Sequence, residues 1–174
     1  MRIIAGRWGG RRLKPLKGRQ VRPTTDRVRE AWMSALGARL HDAEVLDLFA
    51  GSGALGLEAL SRGARSVVAV EKARSAAAVI EANATMLEAG EAHRLVQDDV
   101  FRFLERERPT ADVALADPPY QTGDGARLIS VFLEQPFARE LWLEHPFRDA
   151  PPLPEGARTR RYGDSAITTI VADP

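Results

Sequence analysis

The chain has 174 residues, no cysteine, 25 Lys and Arg against 24 Asp and Glu, and a formal net charge of +1. This length predicts one domain, the lack of cysteine excludes disulfides, Cys-ligated zinc and a thiol nucleophile, and the three scattered histidines do not suggest a metal site. No apolar run approaches the roughly 20 residues of a membrane-spanning helix, and no apolar segment follows the basic N-terminus as in a signal peptide, so we expect a soluble, cytoplasmic, metal-free protein.

The first 30 residues are strongly basic. They hold ten Lys and Arg against two acidic residues, whereas the other 144 residues carry a net charge of −7. A basic segment on a mildly acidic body favours contact with nucleic acid. The side chains that we expect to bind RNA are Arg2, Arg7, Arg11, Arg12, Arg22 and Arg27.

This basic region contains two predicted elements. The stretch RIIAGRWGGRRLK predicts two short strands that form a hairpin at Gly9-Gly10. Apolar residues at helical spacing between Val28 and Leu36 predict a helix. Its candidate N-cap residues are Thr24, Thr25 and Asp26. We expect residues 1–40 to form an extension packed on the core, and residues 41–174 to form the main domain.

From residue 44 the sequence alternates between strands and helices. Strands are predicted at 44–50, 66–71, 93–97, 111–116 and 140–145, with a closing pair at 158–172 that turns at Gly163-Asp164. Helices are predicted from a glycine turn to about Arg62, and at 73–87, 100–107 and 126–135, and the proline-rich stretch 145–156 is predicted to be a surface loop. This alternation predicts an α/β fold, with a mostly parallel sheet covered by helices on both faces.

The first strand runs into a glycine turn. Gly51, Gly53 and Gly56 have G-x-G-x-x-G spacing, which by itself also fits a dinucleotide site. Glu71, at the end of the second strand, can accept hydrogen bonds from both hydroxyls of a ribose. Asp47 discriminates between a dinucleotide and S-adenosylmethionine as the ligand. An anion inside this strand would repel the pyrophosphate of a dinucleotide but attract the cationic amino group of S-adenosylmethionine. The alternatives are an Asp47 carboxylate tied to backbone N–H groups and a Glu71 solvated at a strand end.

Two further acids follow the third strand. The loop after that strand can reach the adenine of a ligand bound across the strand ends. We expect Asp99 to accept from the adenine amino group, with Asp98 as a helix N-cap or without a role, and the reverse assignment is also open.

The fourth strand ends in Asp117-Pro118-Pro119-Tyr120. Methylation of an exocyclic amine needs two acceptors for its N–H groups, so that the nitrogen lone pair can point at the methyl donor. Asp117 supplies one acceptor and the carbonyl of Pro118 the other, while the prolines hold that carbonyl rigidly and add no donor. Tyr120 offers a ring on which a flipped base can stack. Cytosine-5 methylation is disfavoured, since it needs a thiol.

Six segments together resemble a known family. RIIAGRWGGRRL, RPTTDRVREA, LDLFAGSGALGLEALSRGA, VVAVEK, ADPPY and YGDSAIT are similar to the RsmD-type methyltransferases, and the likeness runs from about Arg2 to Thr169. The resemblance implies a Rossmann-like class I fold with a seven-stranded sheet, and makes residues 41–174 the S-adenosylmethionine-dependent domain. It also implies methyl transfer to N2 of a guanine in 16S rRNA, within an assembling small ribosomal subunit. We expect the protein to be a monomer.

The same resemblance implies the site residues. The cofactor-binding positions are Asp47, Gly51, Ser52, Gly53, Glu71 and Asp99, and the catalytic positions are Asp117, Pro118, Pro119 and Tyr120. Residues of the segment 22–29 that can touch cofactor or RNA, or simply start a helix, are Thr24, Thr25, Arg27 and Arg29. The span 134–160 is shorter than in the family, which leaves the fifth strand and the role of Glu144 open; His145 is expected to be a loop residue.

Other functions fit parts of these patterns. An adenine-N6 or cytosine-N4 methyltransferase would use the same Asp-Pro-Pro-Tyr motif. A non-catalytic RNA-binding assembly factor would keep the fold, although the intact Asp117 and glycine turn argue against it. A nicotinamide oxidoreductase has only the glycine spacing in its favour.

Overall fold

The structure is a computed structural model that describes residues 1–16 and 24–172, and in the first helix it describes side chains from Val28 onward. Within these ranges, seven strands form one sheet in the order β3-β2-β1-β4-β5-β7-β6. They are β1 Glu44–Leu48, β2 Ser66–Val70, β3 His93–Val96, β4 Ala111–Ala116, β5 Ala138–Pro146, β6 Arg158–Tyr162 and β7 Ser165–Val171. Strands β1 to β5 are parallel, and β7 runs antiparallel to both β5 and β6. This arrangement confirms the predicted Rossmann-like class I sheet.

Helices cover both faces of the sheet. They are α1 Thr24–Leu36, α2 Ala54–Ser61, α3 Arg74–Met86, α4 Val100–Glu107 and α5 Asp124–Glu134, with short 3-10 helices at Gly37–Leu40 and Gly90–Ala92. Successive side chains of a strand point to opposite faces. In β4, Val113 and Leu115 therefore join the apolar core with α1 and α2, while Ala114 and Ala116 join the core with α4 and α5.

The N-terminal arm, residues 1–16, docks on helix α2. The carboxylate of Glu58 is fully buried and accepts the N–H groups of Ile4 at 2.7 Å and Ala5 at 3.0 Å. Ser61 Oγ donates to the Ala5 carbonyl and accepts the Trp8 N–H. A buried carboxylate is costly unless it is paired and hydrogen-bonded, so Glu58 fixes where the arm lies.

The arm folds back on itself, but the two predicted strands are reduced to one antiparallel bridge between Arg2 and Arg12. Of the predicted turn pair, Gly10 has a positive φ of 84° and Gly9 does not. The reason lies in the competing partner. Donors that a longer ladder would use are bonded to α2 instead, as in the contact of Arg7 N–H with the Ser61 carbonyl at 2.8 Å.

Two element boundaries differ from the sequence prediction. Helix α1 begins at Thr24, so the candidate caps Thr24, Thr25 and Asp26 all lie inside its first turn and are not N-caps. Strand β5 extends over Ala138–Pro146 and includes His145, as the predicted strand 140–145 does, so the separate expectation that His145 is a loop residue is wrong. His145 is 3% exposed, and its Nε2 lies 2.7 Å from Thr168 Oγ1 on the neighbouring strand. This cross-strand bond explains why the residue before Pro146 is part of the sheet.

Candidate active site

Three carboxylates meet at the carboxyl ends of adjacent parallel strands. Asp47 lies in β1, Glu71 follows β2 and Asp117 follows β4, and β1 pairs with both of the other strands. The charges of Asp117 and Glu71 both act on the Asp47 carboxyl. The structure thus brings the predicted cofactor-binding and catalytic acids together at the edge where open α/β sheets bind their ligands.

A tight turn joins β1 to α2. Phe49, Gly51 and Gly53 adopt positive φ angles of 60°, 58° and 77°. Glycine adopts this conformation without a steric penalty, whereas Phe49 is held there under strain. Because Gly53 is the N-cap of α2, the N–H groups of the first helical turn lie at the same edge as the three carboxylates.

Asp47 is buried and fastens α2 to the sheet. Its Oδ2 accepts the Gly56 N–H at 2.9 Å, while its Oδ1 has no hydrogen-bond partner among the described residues. A Cβ on Gly56 would lie 2.9 Å from that Oδ2 and 2.7 Å from Val67 Cγ1, so only glycine allows the close packing of α2 on β1 and β2. The backbone-bound alternative for Asp47 is therefore present in the structure.

Burial raises the pKa of Asp47 to about 8, with repulsion from Asp117 and Glu71 in the same direction and the Gly56 hydrogen bond opposing it. The carboxyl is therefore protonated at neutral pH. A cationic group at this edge would lower that pKa. Because a buried polar atom rarely lacks a partner, the unpaired Oδ1 fits a site that is completed by a polar group of a ligand or by an ordered water.

Glu71 connects the glycine turn to the start of α3. Its Oε2 accepts the Gly51 N–H at 2.9 Å and its Oε1 accepts the Ala73 N–H at 2.8 Å. The side chain is partly buried, which differs from a solvated strand end. Each carboxylate oxygen can accept a second hydrogen bond, so both oxygens remain available to ribose hydroxyls.

Asp98 and Asp99 have the opposite roles to those expected at the helix start. Asp99 is the N-cap of α4, and its Oδ1 accepts the Phe101 and Arg102 N–H groups. Asp98 instead pairs with Arg106 at 2.5 Å, so its predicted role as the cap is wrong. An N-cap must reach the N–H groups two and three residues ahead, which only Asp99 can do for a helix that begins at Val100. In the described part of the chain, no donor bonds to Asp99 Oδ2, so this oxygen is available for the predicted contact of Asp99 with adenine.

Asn83 is a buried site residue that the sequence analysis missed. Its Oδ1 accepts the Lys14 N–H at 2.7 Å, and its Nδ2 donates to the carbonyls of Lys14 and Ser52, both at 3.1 Å. The arm and the glycine turn are therefore bridged by one side chain. Its helical spacing of three from Ile80 places a polar residue on the buried face of α3, and that signal could have identified it.

The Asp-Pro-Pro-Tyr segment follows β4 directly. Asp117 is exposed and Pro118 is buried. The Pro119 carbonyl accepts the Thr122 hydroxyl at 3.0 Å, whereas no residue with a described position donates to the Pro118 carbonyl. Of the two proline carbonyls, the one predicted to accept a substrate N–H is therefore the one to which no described residue donates.

Tyr120 is held by β5 and β7. Its hydroxyl donates to Glu144 Oε1 at 3.0 Å and lies 3.1 Å from Ser165 Oγ. Burial raises the pKa of Tyr120 to about 12, with the negative charges of Glu144 and Asp117 adding to the shift. The phenol is therefore neutral throughout the physiological range, and Glu144 acquires a role, fixing the ring, that its sequence position left open.

Two cavities differ in their relation to this site. A cavity of about 160 Å³ is lined by Pro118, Pro119 and Tyr120, together with the start of α5 and the end of β5. A larger one of about 530 Å³ lies between α3 and β3 and includes none of the predicted site residues. The smaller cavity is therefore the one next to the predicted chemistry.

The structure describes four of the six arginine side chains that were predicted to bind RNA. Arg2, Arg7, Arg11 and Arg12 are exposed; the guanidinium of Arg7 lies 3.9 Å from the centre of the Trp8 ring, and Arg11 donates to the Met86 carbonyl at 2.8 Å. Arg22 and the side chain of Arg27 lie outside the described residues. Arg29, a candidate for contact with cofactor or RNA, is 4% exposed and donates to the Arg2 carbonyl at 2.5 Å. That hypothesis is wrong for Arg29, because its guanidinium is buried beside Glu58, 3.9 Å away.

The described residues contain neither a metal-binding cluster nor a membrane-spanning helix. No group of His, Cys, Asp or Glu side chains among them is arranged to hold a metal ion. None of the helices in the same ranges has the length and apolarity needed to cross a membrane.

Similar proteins of known name include methyltransferases. The chain is 42% identical over 123 residues to the ribosomal RNA small subunit methyltransferase D of Escherichia coli, and the match covers 71% of this chain and 62% of that protein. A solved candidate methyltransferase from Escherichia coli, YhhF, is 34% identical, with a TM-score of 0.85 over 97% of this chain and 96% of that one. A candidate methyltransferase solved in complex with SAH is 18% identical, with a TM-score of 0.64 over 86% of this chain and 49% of that one, and shares the fold.

A family model covers most of the chain. The model described as conserved hypothetical protein 95 matches residues 1–143, which include the arm, the glycine turn and the Asp-Pro-Pro-Tyr segment. Together with the identity to ribosomal RNA small subunit methyltransferase D, this match shows that the chain belongs to the RsmD-type family.

Proposed function

We propose that this protein transfers a methyl group from S-adenosylmethionine to N2 of a guanine in 16S rRNA. The observation that carries the proposal is the meeting of the glycine turn, Glu71 and Asp117 at neighbouring strand ends. The name of the Escherichia coli relative supports an rRNA substrate, and the SAH complex of the more distant neighbour supports the cofactor. The choice of guanine N2 rests on the family resemblance.

The residues that would hold the cofactor surround the turn between β1 and α2. Glu71 would bind the ribose hydroxyls, Asp99 the adenine amino group, and the backbone of Gly51, Ser52 and Gly53 would line the crevice. Asp47 would act on the amino group of the methionine part from behind the turn, either directly or through water. When bound, the cofactor supplies an electrophilic methyl group on a sulfonium.

The acceptor amine would be oriented by Asp117 and the Pro118 carbonyl. These groups would take its two N–H bonds, so that the nitrogen lone pair is free to attack. The Pro118 carbonyl is suited to this role, because Pro119 rather than Pro118 accepts the Thr122 hydroxyl. Tyr120 would stack on the flipped base, and its bond to Glu144 keeps the ring in place.

The arm would contribute the RNA affinity. Its exposed arginines present positive charge to phosphates, and the arm is bonded to the glycine turn through Asn83. We propose that the substrate is 16S rRNA in an assembling small subunit, that the protein acts in the cytoplasm as a monomer, and that residues 1–40 are an extension of the methyltransferase domain.

The decisive experiment replaces the proposed amine acceptor. We expect Asp117→Ala to lower methyl transfer to unmodified 16S rRNA by at least roughly 100-fold, the scale of losing one group that acts in the transition state. Binding of S-adenosylmethionine, measured by calorimetry, should be retained. Glu105→Ala, which removes an exposed carboxylate from α4, is the matched control and should retain full activity.

The product is tested separately. Mass spectrometry of rRNA from a strain lacking the gene should show one guanine in 16S rRNA without its N2 methyl group. A missing N6-methyladenine or N4-methylcytosine would replace guanine as the target. Full activity of Asp117→Ala would contradict the mechanism, and unchanged rRNA in the deletion strain would favour a non-catalytic assembly factor.

A further inference from the structure

A second cluster of exposed arginines lies on the edge strand β6. Arg158, Arg160 and Arg161 are all exposed, and β6 ends the sheet order. We call these three residues the β6 ridge. None of them belongs to the basic N-terminal arm, and none has a part in the cofactor or catalytic positions described above.

The ridge arginines differ from most other arginines of the domain, which form ion pairs with carboxylates. Arg65 pairs with Glu44 at 2.8 Å, Arg94 with Glu107 at 2.9 Å and Arg139 with Asp112 at 3.5 Å. Across the described ranges, no carboxylate forms an ion pair with a ridge arginine. Arg161 instead donates to the Gly163 carbonyl and lies 4.3 Å from the centre of the Phe147 ring. The ridge therefore presents positive charge that no carboxylate of the described residues neutralises.

Topology places the ridge at the active-site edge of the sheet. Because β7 is antiparallel to both β5 and β6, β6 runs in the same direction as β4, and its carboxyl end lies at the same edge as Asp117. Tyr162, the last residue of β6, pairs with Ser165. Ser165 in turn bonds the Tyr120 hydroxyl, so one strand pair connects the ridge to the catalytic segment.

The strand register also settles which face the side chains share. Arg160 pairs with Ile167, and Ile167 pairs with Glu144. Side chains of directly paired residues project from the same face of a sheet, so Arg160 lies on the face of Glu144, the residue that holds Tyr120. Arg158, two residues earlier, projects from that face as well. This is the face that helix α1, α2 and the arm cover nearer the centre of the sheet.

The ridge and the arm thus lie on opposite sides of the catalytic segment. The arm is bonded to α2 and α3, next to β1 and β2, whereas the ridge is at the far end beyond β5 and β7. A nucleotide whose base has left the stack is joined to the RNA backbone on both its 5′ and its 3′ side. An enzyme that holds the backbone on both sides keeps the flipped nucleotide between them.

We propose that Arg158 and Arg160 of the β6 ridge bind the phosphates of the RNA strand on one side of the target nucleotide, while the arm binds the other side. This proposal rests on the proposed function and extends it to a second RNA surface. Phosphate is the favoured partner, because arginine forks match its oxygens and contacts of this kind position a nucleic acid without reading its sequence. Charged side chains on an edge strand also discourage pairing with another protein strand.

The test compares two double variants with the same change in net charge. Arg158→Gln with Arg160→Gln removes the two ridge arginines that share the face of Glu144. Arg65→Gln with Arg139→Gln removes two exposed arginines that lie at the amino ends of β2 and β5. Binding to unmodified, in vitro-transcribed 16S rRNA is measured from about 50 mM to about 200 mM KCl, with S-adenosylmethionine affinity and thermal melting followed in parallel.

We expect the ridge variant to bind rRNA roughly tenfold more weakly than the wild type at about 50 mM KCl. The slope of its log affinity against log salt concentration should be smaller in magnitude by about 1.4, the value for two lost phosphate contacts. Its S-adenosylmethionine affinity should equal that of the wild type. A Lys version, Arg158→Lys with Arg160→Lys, should keep most of the salt slope, because each side chain keeps its charge. The control variant should keep both affinity and slope.

Equal weakening in both Gln variants would overturn the proposal, since it would reflect net charge alone. Unchanged rRNA binding by the ridge variant would overturn it as well. So would a loss seen only on small-subunit particles and not on naked rRNA, because the partner would then be a ribosomal protein. If the wild type binds rRNA through the ridge but methylates no guanine, the RNA surface stands and the proposed function fails.

Discussion

The two halves of the sheet use their polar side chains differently. In the half formed by β1, β2 and β3, the carboxylates of Asp47, Glu71 and Asp99 all accept backbone N–H groups. In the half formed by β4 to β7, Asp117 is exposed at a strand end, and Tyr120 is held by two other side chains. We call these the cofactor half and the substrate half.

This difference has a consequence for substitutions. In the cofactor half, the atoms proposed to bind ligand also hold the glycine turn and the helix starts in place. Changes there should therefore alter folding stability as well as binding. In the substrate half, the proposed acceptor Asp117 is exposed, so changes to it should alter activity with a smaller cost in stability.

The largest expected effect is the pH dependence of stability that comes from Asp47. Its pKa is raised from 3.8 to about 8 by burial. Below about pH 4 the side chain is protonated in both states; between about 4 and 8 only the unfolded chain releases the proton, so stability falls as pH rises. Above about pH 8 the side chain is ionised in both states, and the free energy of unfolding falls no further. At about 1.4 kcal/mol for each pH unit, the total loss of stability is on the order of 5 kcal/mol.

Asp47→Asn should remove this dependence. The amide oxygen can still accept the Gly56 N–H, but the side chain has no proton to lose. We expect urea unfolding at pH 5 and pH 9 to give closer stabilities for the variant than for the wild type, and the variant to be the more stable protein at pH 9. Asp149→Asn, at an exposed aspartate of the substrate half, should behave as the wild type does. If the free energy of unfolding of Asp47→Asn and of the wild type changed with pH in the same way, Asp47 would not be the source of the pH dependence.

A pair of helical glycines tests the packing side of the comparison. A Cβ at Gly56 would meet Val67 Cγ1 at 2.7 Å and Asp47 Oδ2 at 2.9 Å, whereas a Cβ at Gly125 would meet Pro118 and Leu143 at ordinary distances of 3.7 and 3.9 Å. We expect Gly56→Ala to destabilise the protein by about 2–3 kcal/mol through overpacking and to weaken S-adenosylmethionine binding. Gly125→Ala should be neutral, or stabilising by up to about 1 kcal/mol from helix propensity. Thermal melting and calorimetry measure both, and equal effects at the two glycines would contradict the distinction.

The smallest expected effect concerns the Tyr120 hydroxyl. Tyr120→Phe keeps the ring but removes the bonds to Glu144 and Ser165, which should cost about 1 kcal/mol of stability. Methyl transfer should fall by less than about tenfold, far less than in Asp117→Ala, because the ring can still stack on a base. Tyr162→Phe, at the partly buried tyrosine that ends β6, is the matched control. A loss as large as that of Asp117→Ala would show that the hydroxyl itself takes part in the chemistry.

Most of the fold was predictable because its signals are local. The alternation of short apolar runs with helical stripes predicted all seven strands of the sheet, and VFRFLERE and ADVALA coincide with α4 and β4 residue for residue. The predictions that failed depended on partners distant in sequence. The hairpin ladder was shortened by contacts with Glu58 and Ser61, and His145 was drawn into β5 by its bond to Thr168.

The candidate site divides in the same way. Spacing between glycines and acids identified Asp47, Glu71 and Asp117 as candidates, because strand ends in a parallel sheet share one edge. Spacing could not show that Asn83 joins the arm to the glycine turn, or that Arg29 is buried beside Glu58. Both facts involve side chains more than 25 residues from their partners.

By itself, the sequence determined the order of the elements, the glycine turn, the acids at the strand ends and the chemistry that an Asp-Pro-Pro-Tyr segment can support. These features depend on residue type and short-range geometry. Tertiary structure alone decided the protonation of Asp47, the capping role of Asp99 and the strand pairing that connects the β6 ridge to Tyr120 through Ser165. Burial and strand pairing set these properties, and both arise only when distant parts of the chain pack together.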